Sequence, residues 1–471
     1  MFRRGAARLG DLSRFSTDSR AFWMLQVSVS PANSPPSFMD RANARVGLIM
    51  LLRSLFRTAL IGAGVLIGMS ATSSAQKSAA SVASLAWRLE AVAALDSTGA
   101  TMRWPSLTAK GDTVAFAADL FPRDEAAASQ EPNSVVFRLP GGRVPTPRGY
   151  GLGYPKAVYD HAGTLHIFWA EFAEGHASPR FWATPVRAIW HSALSRGGWS
   201  SPDCVARGMM IDWEQEGSAQ IAVDATNGLH VLASVLDSAS GYVLAEYRLG
   251  SAGWTRRLVA PAATYPAILA LPDTSLVAVF AAASTRDAGP RILMSRLRKP
   301  GGRWDAPSAL GGGEAAEIRS IRLIAEARTL SALWLERRAH GADTARLVRF
   351  DSDDRGATWH ERSQLALPGM PARLSVFHTP CLGVTAMMEL RSVEDGRPGS
   401  RVVEAQWRGG GRVDVSPAFP GMSLAMEVGA VETRRGNTAL FVGADAAGNV
   451  ANRVARRTTC TTLDPQPKEA P

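Results

Sequence analysis

Cysteine and lysine are scarce in this chain, and no stretch sustains a helical period. Only Cys204, Cys381 and Cys460 are present among 471 residues. They allow one disulfide with a thiol left over, and their spacing matches no metal-ligand pattern. That excludes a disulfide-stapled scaffold and a zinc, haem or iron–sulfur centre. At least one of the three reads as a small buried apolar residue. Lysine occurs only at 77, 110, 156, 299 and 468, so arginine carries nearly all the positive charge, as GC-rich coding would produce. The +10 formal charge suggests a polyanion partner, but residues 1–75 hold nine Arg against three Asp. The remainder is only mildly basic, which argues against a nucleic-acid partner. The apolar run Thr58–Gly68 is shorter than the ~20 residues that a membrane-spanning helix needs. The chain as a whole is 46% hydrophobic and 20% charged, the profile of an ordinary folded protein with ample core.

Residues 50–75 have the three parts of a secretory signal. Arg53 and Arg57 supply the basic region, Thr58–Gly68 the apolar region, and Ser73-Ser74-Ala75 the small residues at a cleavage site. An uncleaved anchor is the competing reading; a lipid anchor is not expected, because no Cys follows the apolar region. Residues 1–49 lack periodicity and read as an upstream extension or a mis-assigned start, with Met39 or Met50 as the alternative first residue. Residues 76–84 form a small-residue linker, and 458–471 read as a disordered tail. The expected location is the periplasm or the cell exterior.

Between Trp104 and Asp445 one pattern recurs seven times: an apolar run, a short turn, a second apolar run, then a polar stretch closing on a Gly-rich turn. The openings include Trp104-PSLTAKGDTVAFAAD, Tyr154-PKAVYDHAGTLHIFWAE and Tyr265-PAILALPDTSLVAVFAA. The closings include Gly-Gly-Trp199, Ala-Gly-Trp254 and Gly-Gly-Arg-Trp304. A repeat of roughly 45–65 residues holding four short strand-like runs predicts an all-β propeller over 85–457. Seven four-stranded blades are expected, six being the alternative. Trp87-RLEAVAAL resembles a closing strand, and the last unit lacks one after Asn449-VANRVARR, so the N-terminal strand is expected to close the ring. His166 and His230 stand at the same place in the repeat and read as packed residues, not metal ligands.

Ser352-Asp353-Asp354-Arg355-Gly356-Ala357-Thr358-Trp359 fits Ser-x-Asp-x-Gly-x-Thr-Trp, and degenerate versions lie in register at 195–199, 250–254, 299–304 and 408–413. This resembles the Asp-box, or BNR repeat, of sialidase-like propellers, in which the box is a structural hairpin away from the pocket. Ser352, Asp354, Gly356, Thr358 and Trp359 are its expected structural residues. Arg103-Trp104-Pro105 resembles the Arg-Ile-Pro opening of the same family, with Trp in place of Ile. The resemblance implies that Arg103 belongs to an arginine triad gripping a substrate carboxylate, a task suited to the bidentate guanidinium.

Strand order places the starts of first strands and the ends of second strands on one face. The starts bear Arg103, Tyr154, Tyr265, Arg319, Arg373 and Glu427. The ends bear Asp119, Glu171, Asp237, Glu336, Glu389 and Asp445. Position and resemblance together nominate Arg103, Arg319, Arg373 and Tyr154 for substrate binding. They nominate Asp119, Tyr265 and Glu216 for an acid, a tyrosine nucleophile and its assisting carboxylate. Solvated turn residues or edge-protecting charges are the plainer reading of the same positions. No metal and no cofactor is expected. The anticipated partner is an acidic glycan or glycoconjugate, bound by a monomer either as an exo-glycosidase or as a non-catalytic binding module.

Overall fold

A computed structural model describes residues 87–458, apart from 92–99, 123–132, 140, 149–153, 173–185, 211–218, 238–240, 284–290, 312–316, 327, 338–344, 380–381, 395–396, 408–412 and 446. The signal, the linker, the tail, Glu216, Cys381 and Cys460 lie outside the described residues. Seven antiparallel four-stranded blades follow one another in sequence order. Blade 1 opens with Ala100–Lys110, blade 2 with Lys156–Tyr159 and blade 3 with Ala219–Val223. Blades 4 to 7 open with Ala263–Ala270, Glu317–Glu326, Met370–Thr379 and Leu424–Thr433. These seven opening strands touch one another in a closed circuit, which makes them the inner ring of a seven-bladed propeller.

The ring closes as the repeat pattern predicts. Arg88–Ala91 pairs antiparallel with Val450–Thr458, so the N-terminal strand becomes the short outer strand of blade 7 and joins the two ends of the propeller in one sheet. Blades 2 and 3 are further tied by a single backbone pairing, Met210 with Val235.

The apolar runs are nearly continuous because each sheet is buried on both faces. Seven clusters of buried apolar side chains each join one neighbouring pair of blades, one for every interface around the ring. Phe116 and Phe137 stack at 5.1 Å in blade 1, and Phe419 and Phe441 at 3.9 Å where blade 7 meets blade 6.

The repeated Trp serves these interfaces. In three units its indole N–H crosses to a carboxylate of the preceding blade: Trp254 to Asp203 at 3.1 Å, Trp304 to Glu246 at 2.9 Å, and Trp87 to Glu404 at 3.1 Å; Trp199 donates to the Pro145 carbonyl and Trp359 to that of Gly356. Trp87 thus performs at the seam what Trp254 and Trp304 do inside the array, which explains why its segment reads as a displaced closing strand.

The turn at 352–359 is built from its own side chains. Asp354 accepts from the Thr358 N–H at 2.8 Å and from the Thr358 hydroxyl at 2.6 Å, while the Ser352 hydroxyl accepts from Gly356 N–H at 2.7 Å. Gly356 has φ 91°, and a side chain there would press on Val277 of blade 4. Trp359 packs on apolar residues of blades 4 and 5.

At the seam, Arg457 of blade 7 pairs with Glu404 of blade 6 at 2.6 Å and covers the Trp87 ring at 4.5 Å. Both partners are almost fully buried. Removing one leaves an uncompensated buried charge, so Glu404→Ala is expected to lower unfolding free energy by about 3–5 kcal/mol. Urea denaturation measures this; a loss within ~0.5 kcal/mol, the range of ordinary surface substitutions, would show that the seam does not rest on this pair.

Candidate functional site

Five of the seven inner strands carry an irregularity against the second strand of their blade. In blades 1, 4 and 7 two inner-strand residues oppose one on the second strand, and in blades 5 and 6 a single extra residue, Arg319 or Ala372, is inserted. The leading residues have left-handed backbone: Trp104 at φ 51°, Tyr154 at 50°, Tyr265 at 50° and Glu427 at 54°. For bulky residues this costs on the order of 1–3 kcal/mol each and persists only where the surroundings hold it. Pro105, Pro155 and Pro266 follow three of them.

The surroundings are carboxylates. The Tyr154 N–H donates to Asp119 at 3.2 Å, the Glu427 N–H to Glu389 at 2.7 Å, and the Trp104 N–H to Glu427 at 2.8 Å. Each bond crosses from one blade to the next, so an acid of one blade fixes the left-handed residue of its neighbour. Glu427 also pairs with Arg373 at 2.5 Å, and Arg373 lies 3.7 Å from Glu389. Burial, reinforced by the Glu427 charge, pushes the Glu389 carboxyl above its ordinary range despite the nearby Arg373.

Trp104, Pro105 and Tyr154 border a cavity of about 410 Å³ on the propeller axis, lined by inner strands of blades 1, 2, 3, 5, 6 and 7. That volume suits a small-molecule site. Trp104 and Tyr154 meet edge to face at 4.2 Å on one side of it. Lys156, Arg322 and Arg373 reach its wall from blades 2, 5 and 6, and no carboxylate is among its described lining residues.

Of the residues nominated from sequence, Tyr154 and Arg373 line this cavity. Arg103 pairs with Asp119 across the strands, but its side chain is exposed, lies 5.1 Å over the Phe121 ring, and is absent from the lining. Tyr265 is buried in the apolar contact between blades 4 and 5 and is also absent from the lining. Arg319 occupies a bulge position, and its side chain lies outside the described residues. Asp119 is fully buried.

The other second-strand acids also have defined partners. Glu171 accepts from Trp190 at 2.7 Å, Glu336 from Trp334 at 3.0 Å, and Asp237 from Arg256 at 3.5 Å. Asp445 is the turn residue among them, capping Ala447 and Asn449 amides at 2.9 Å. Lys156 and Arg322 were not nominated. Lys156 opens its strand two residues after Tyr154 and Arg322 sits inside its own, and the one available signal, for Lys156 alone, was the rarity of lysine.

No family model matches the chain, and no curated protein matches its sequence. Several solved propeller structures are similar in fold. Penicillium chrysogenum alpha-L-arabinanase is 12% identical, with TM-score 0.40 over 65% of this chain and 93% of that one. A Hadza microbial sialidase is 13% identical, with TM-score 0.38 over 72% and 73%. A puromycin hydrolase mutant is 15% identical, with TM-score 0.48 over 78% of this chain and 55% of that one. At such identities the likeness is one of fold alone.

A second titratable cluster lies away from the axis. His166 Nδ1 meets His191 Nε2 at 2.9 Å, His191 Nδ1 meets Asp203 at 2.8 Å, and His166 Nε2 faces Asp160 at 3.5 Å. In blade 3 His230 bridges Asp224 at 3.0 Å and Glu246 at 2.9 Å. The two histidines are therefore ligands of carboxylates within the fold. Among the described residues no group of three or more His, Cys, Asp or Glu is arranged to hold a metal ion. Cys204 is half-buried, and its thiol lies 3.5 Å from the Ala206 carbonyl.

Burial, then the His191 charge, hold His166 below its ordinary value of 6.5, against the opposing pull of Asp160 and Asp203. A depressed histidine binds fewer protons folded than unfolded. Its contribution to stability is therefore intact above pH 6.5 and is lost as pH falls through its lowered value. The melting temperature is expected to drop on acidification from neutrality, with a smaller drop in His166→Gln. Equal slopes for the two proteins in a pH series of melting curves would contradict this assignment.

Proposed function

We propose that this chain is an exported, sialidase-like propeller that holds an acidic glycan in its axial cavity and acts as a monomer. The observation that carries the reading is the lining: three cations from three blades, an aromatic pair beside them, and no described carboxylate in the wall. Ring-shaped sugars offer apolar faces to aromatics, and an acidic sugar adds a carboxylate for arginine or lysine. Reading the 352–359 turn as an Asp-box supports the family resemblance, and the basic, apolar and small-residue regions of 50–75 support export with cleavage after Ala75.

Turnover would draw on Tyr265 as nucleophile, Glu216 to assist it and Asp119 as the acid, with Arg103, Arg319 and Arg373 on the carboxylate. Binding without turnover needs none of the first three. One observation favours binding alone: Asp119 is fully buried, with its carboxylate engaged by the Tyr154 N–H. A general acid must come within hydrogen-bond reach of the leaving oxygen.

The mature protein is therefore expected to bind a sialylated oligosaccharide and not its desialylated counterpart in calorimetric titration, and to release no fluorophore from a fluorogenic sialoside. Turnover of the sialoside would select the glycosidase reading. Equal or absent binding of both oligosaccharides would overturn the acidic-glycan assignment altogether.

A further inference from the structure

A second cavity, of about 500 Å³, opens between blades 2 and 3 and shares no lining residue with the axial one. The local backbone makes it. The last strand of blade 2, Asp203–Met210, slips register twice against its neighbour, between Cys204 and Ala206 and again between Arg207 and Met210. Gly208 has φ 126°, a conformation that residues with a side chain rarely adopt. These irregularities carry the strand out of its own sheet until Met210 pairs with Val235 of blade 3. Among the described residues no other two neighbouring blades share a strand pairing. The cavity lies beside this pairing, with Val235 in its wall. Its volume falls within the range of small-molecule sites, about 300–1,000 Å³.

The wall has two kinds of surface. Val205 and Val235 are buried and apolar, and Trp254 and Tyr247 add an indole and a phenol. The Trp254 N–H is taken by Asp203 at 3.1 Å, so what Trp254 has left to offer a ligand is ring surface. The polar part carries one unmatched charge. Arg256 is committed to the fold, with Asp237 at 3.5 Å and the Tyr247 phenol beside it. Asp237 is the one carboxylate among the described lining residues, and Arg256 neutralises it. Arg207 is exposed, and no hydrogen bond or ion pair engages its side chain among the described residues.

We infer that the cavity between blades 2 and 3 is a second ligand site, which takes a small aromatic carboxylate. The ring lies against Trp254 and Val235, and the carboxylate meets the Arg207 guanidinium, whose planar fork matches its two oxygens. A single solvent-exposed cation suits a singly charged ligand, and its contribution falls with ionic strength. Cys204, half-buried, lines the same cavity and reports on its occupancy.

The test is the rate at which iodoacetamide alkylates Cys204, displacing iodide to form a thioether, with the modified residue located by mass spectrometry. Phenylacetate and indole-3-acetate are the probes, and phenylacetamide is the neutral counterpart. At least one of the two acids is expected to slow alkylation saturably, at a concentration about fivefold below that of the amide, the upper end for an exposed ion pair. Arg207→Met should remove that difference, and Arg207→Lys should keep part of it. Both variants should melt at the wild-type temperature, because Arg207 supports nothing in the fold. No protection by either acid, equal protection by acid and amide, or protection unchanged in Arg207→Met would each overturn the site. So would a Cys204 thiol that the reagent cannot reach, which would mean a cavity closed to solvent. A lowered melting temperature in both variants would show Arg207 holding the joint between the blades instead of a ligand, and would overturn it too.

Discussion

The molecule depends on how one blade's bent inner strand is fixed by the blade before it. A propeller must steer every inner strand sharply onto the axis, and the bulges that do so leave amides that cannot pair within their own sheet. Asp119, Glu389 and Glu427 accept those amides from neighbouring blades. A buried unsatisfied N–H costs about 1–3 kcal/mol, and left-handed backbone at a bulky residue costs a similar amount. One carboxylate thus stabilises a strained bend and a joint between blades together. Glu427 does this twice over, since its own amide is capped by Glu389 while its side chain caps Trp104 and pairs with Arg373.

The same bonds determine what the axial face can do. Acids that might have served as free catalytic groups are drawn into the frame, and the wall they leave behind is cationic and aromatic. Binding of an acidic ligand follows more directly from such a wall than proton transfer does, because a carboxylate engaged by an amide and shut from the cavity is poorly placed to exchange protons with a substrate. Outside the ring, the Trp-to-carboxylate bridges and the Arg457–Glu404 pair hold the blades at greater radius.

Much of the architecture was legible because a repeat shows itself many times over. The apolar runs of seven units, the displaced Trp87 strand and the Gly-rich closings each follow from local patterning that neighbouring copies corroborate. The positions of the second-strand acids were legible too. Their role was not, since an acid beside a turn reads the same whether it faces solvent, substrate or the amide of the next blade. Left-handed backbone at Trp104, Tyr154, Tyr265 and Glu427 was hidden for a similar reason: Trp-Pro and Tyr-Pro look like ordinary strand openings. Lys156 and Arg322 lay on inner strands past the positions read as strand starts, and only the ring shows that they line the axial cavity. Arg103 illustrates the converse, a motif-like position whose side chain lies on Phe121 instead.

Amide hydrogen exchange at Trp104, Tyr154 and Glu427, followed residue by residue under native conditions, tests the carboxylate-fixed bulges most directly. If Glu427, Asp119 and Glu389 hold these three amides as the blade joints require, all three exchange as slowly as amides in the buried second strands, through global unfolding. Exchange of any of them at the rate of an unprotected, solvent-exposed amide would contradict it.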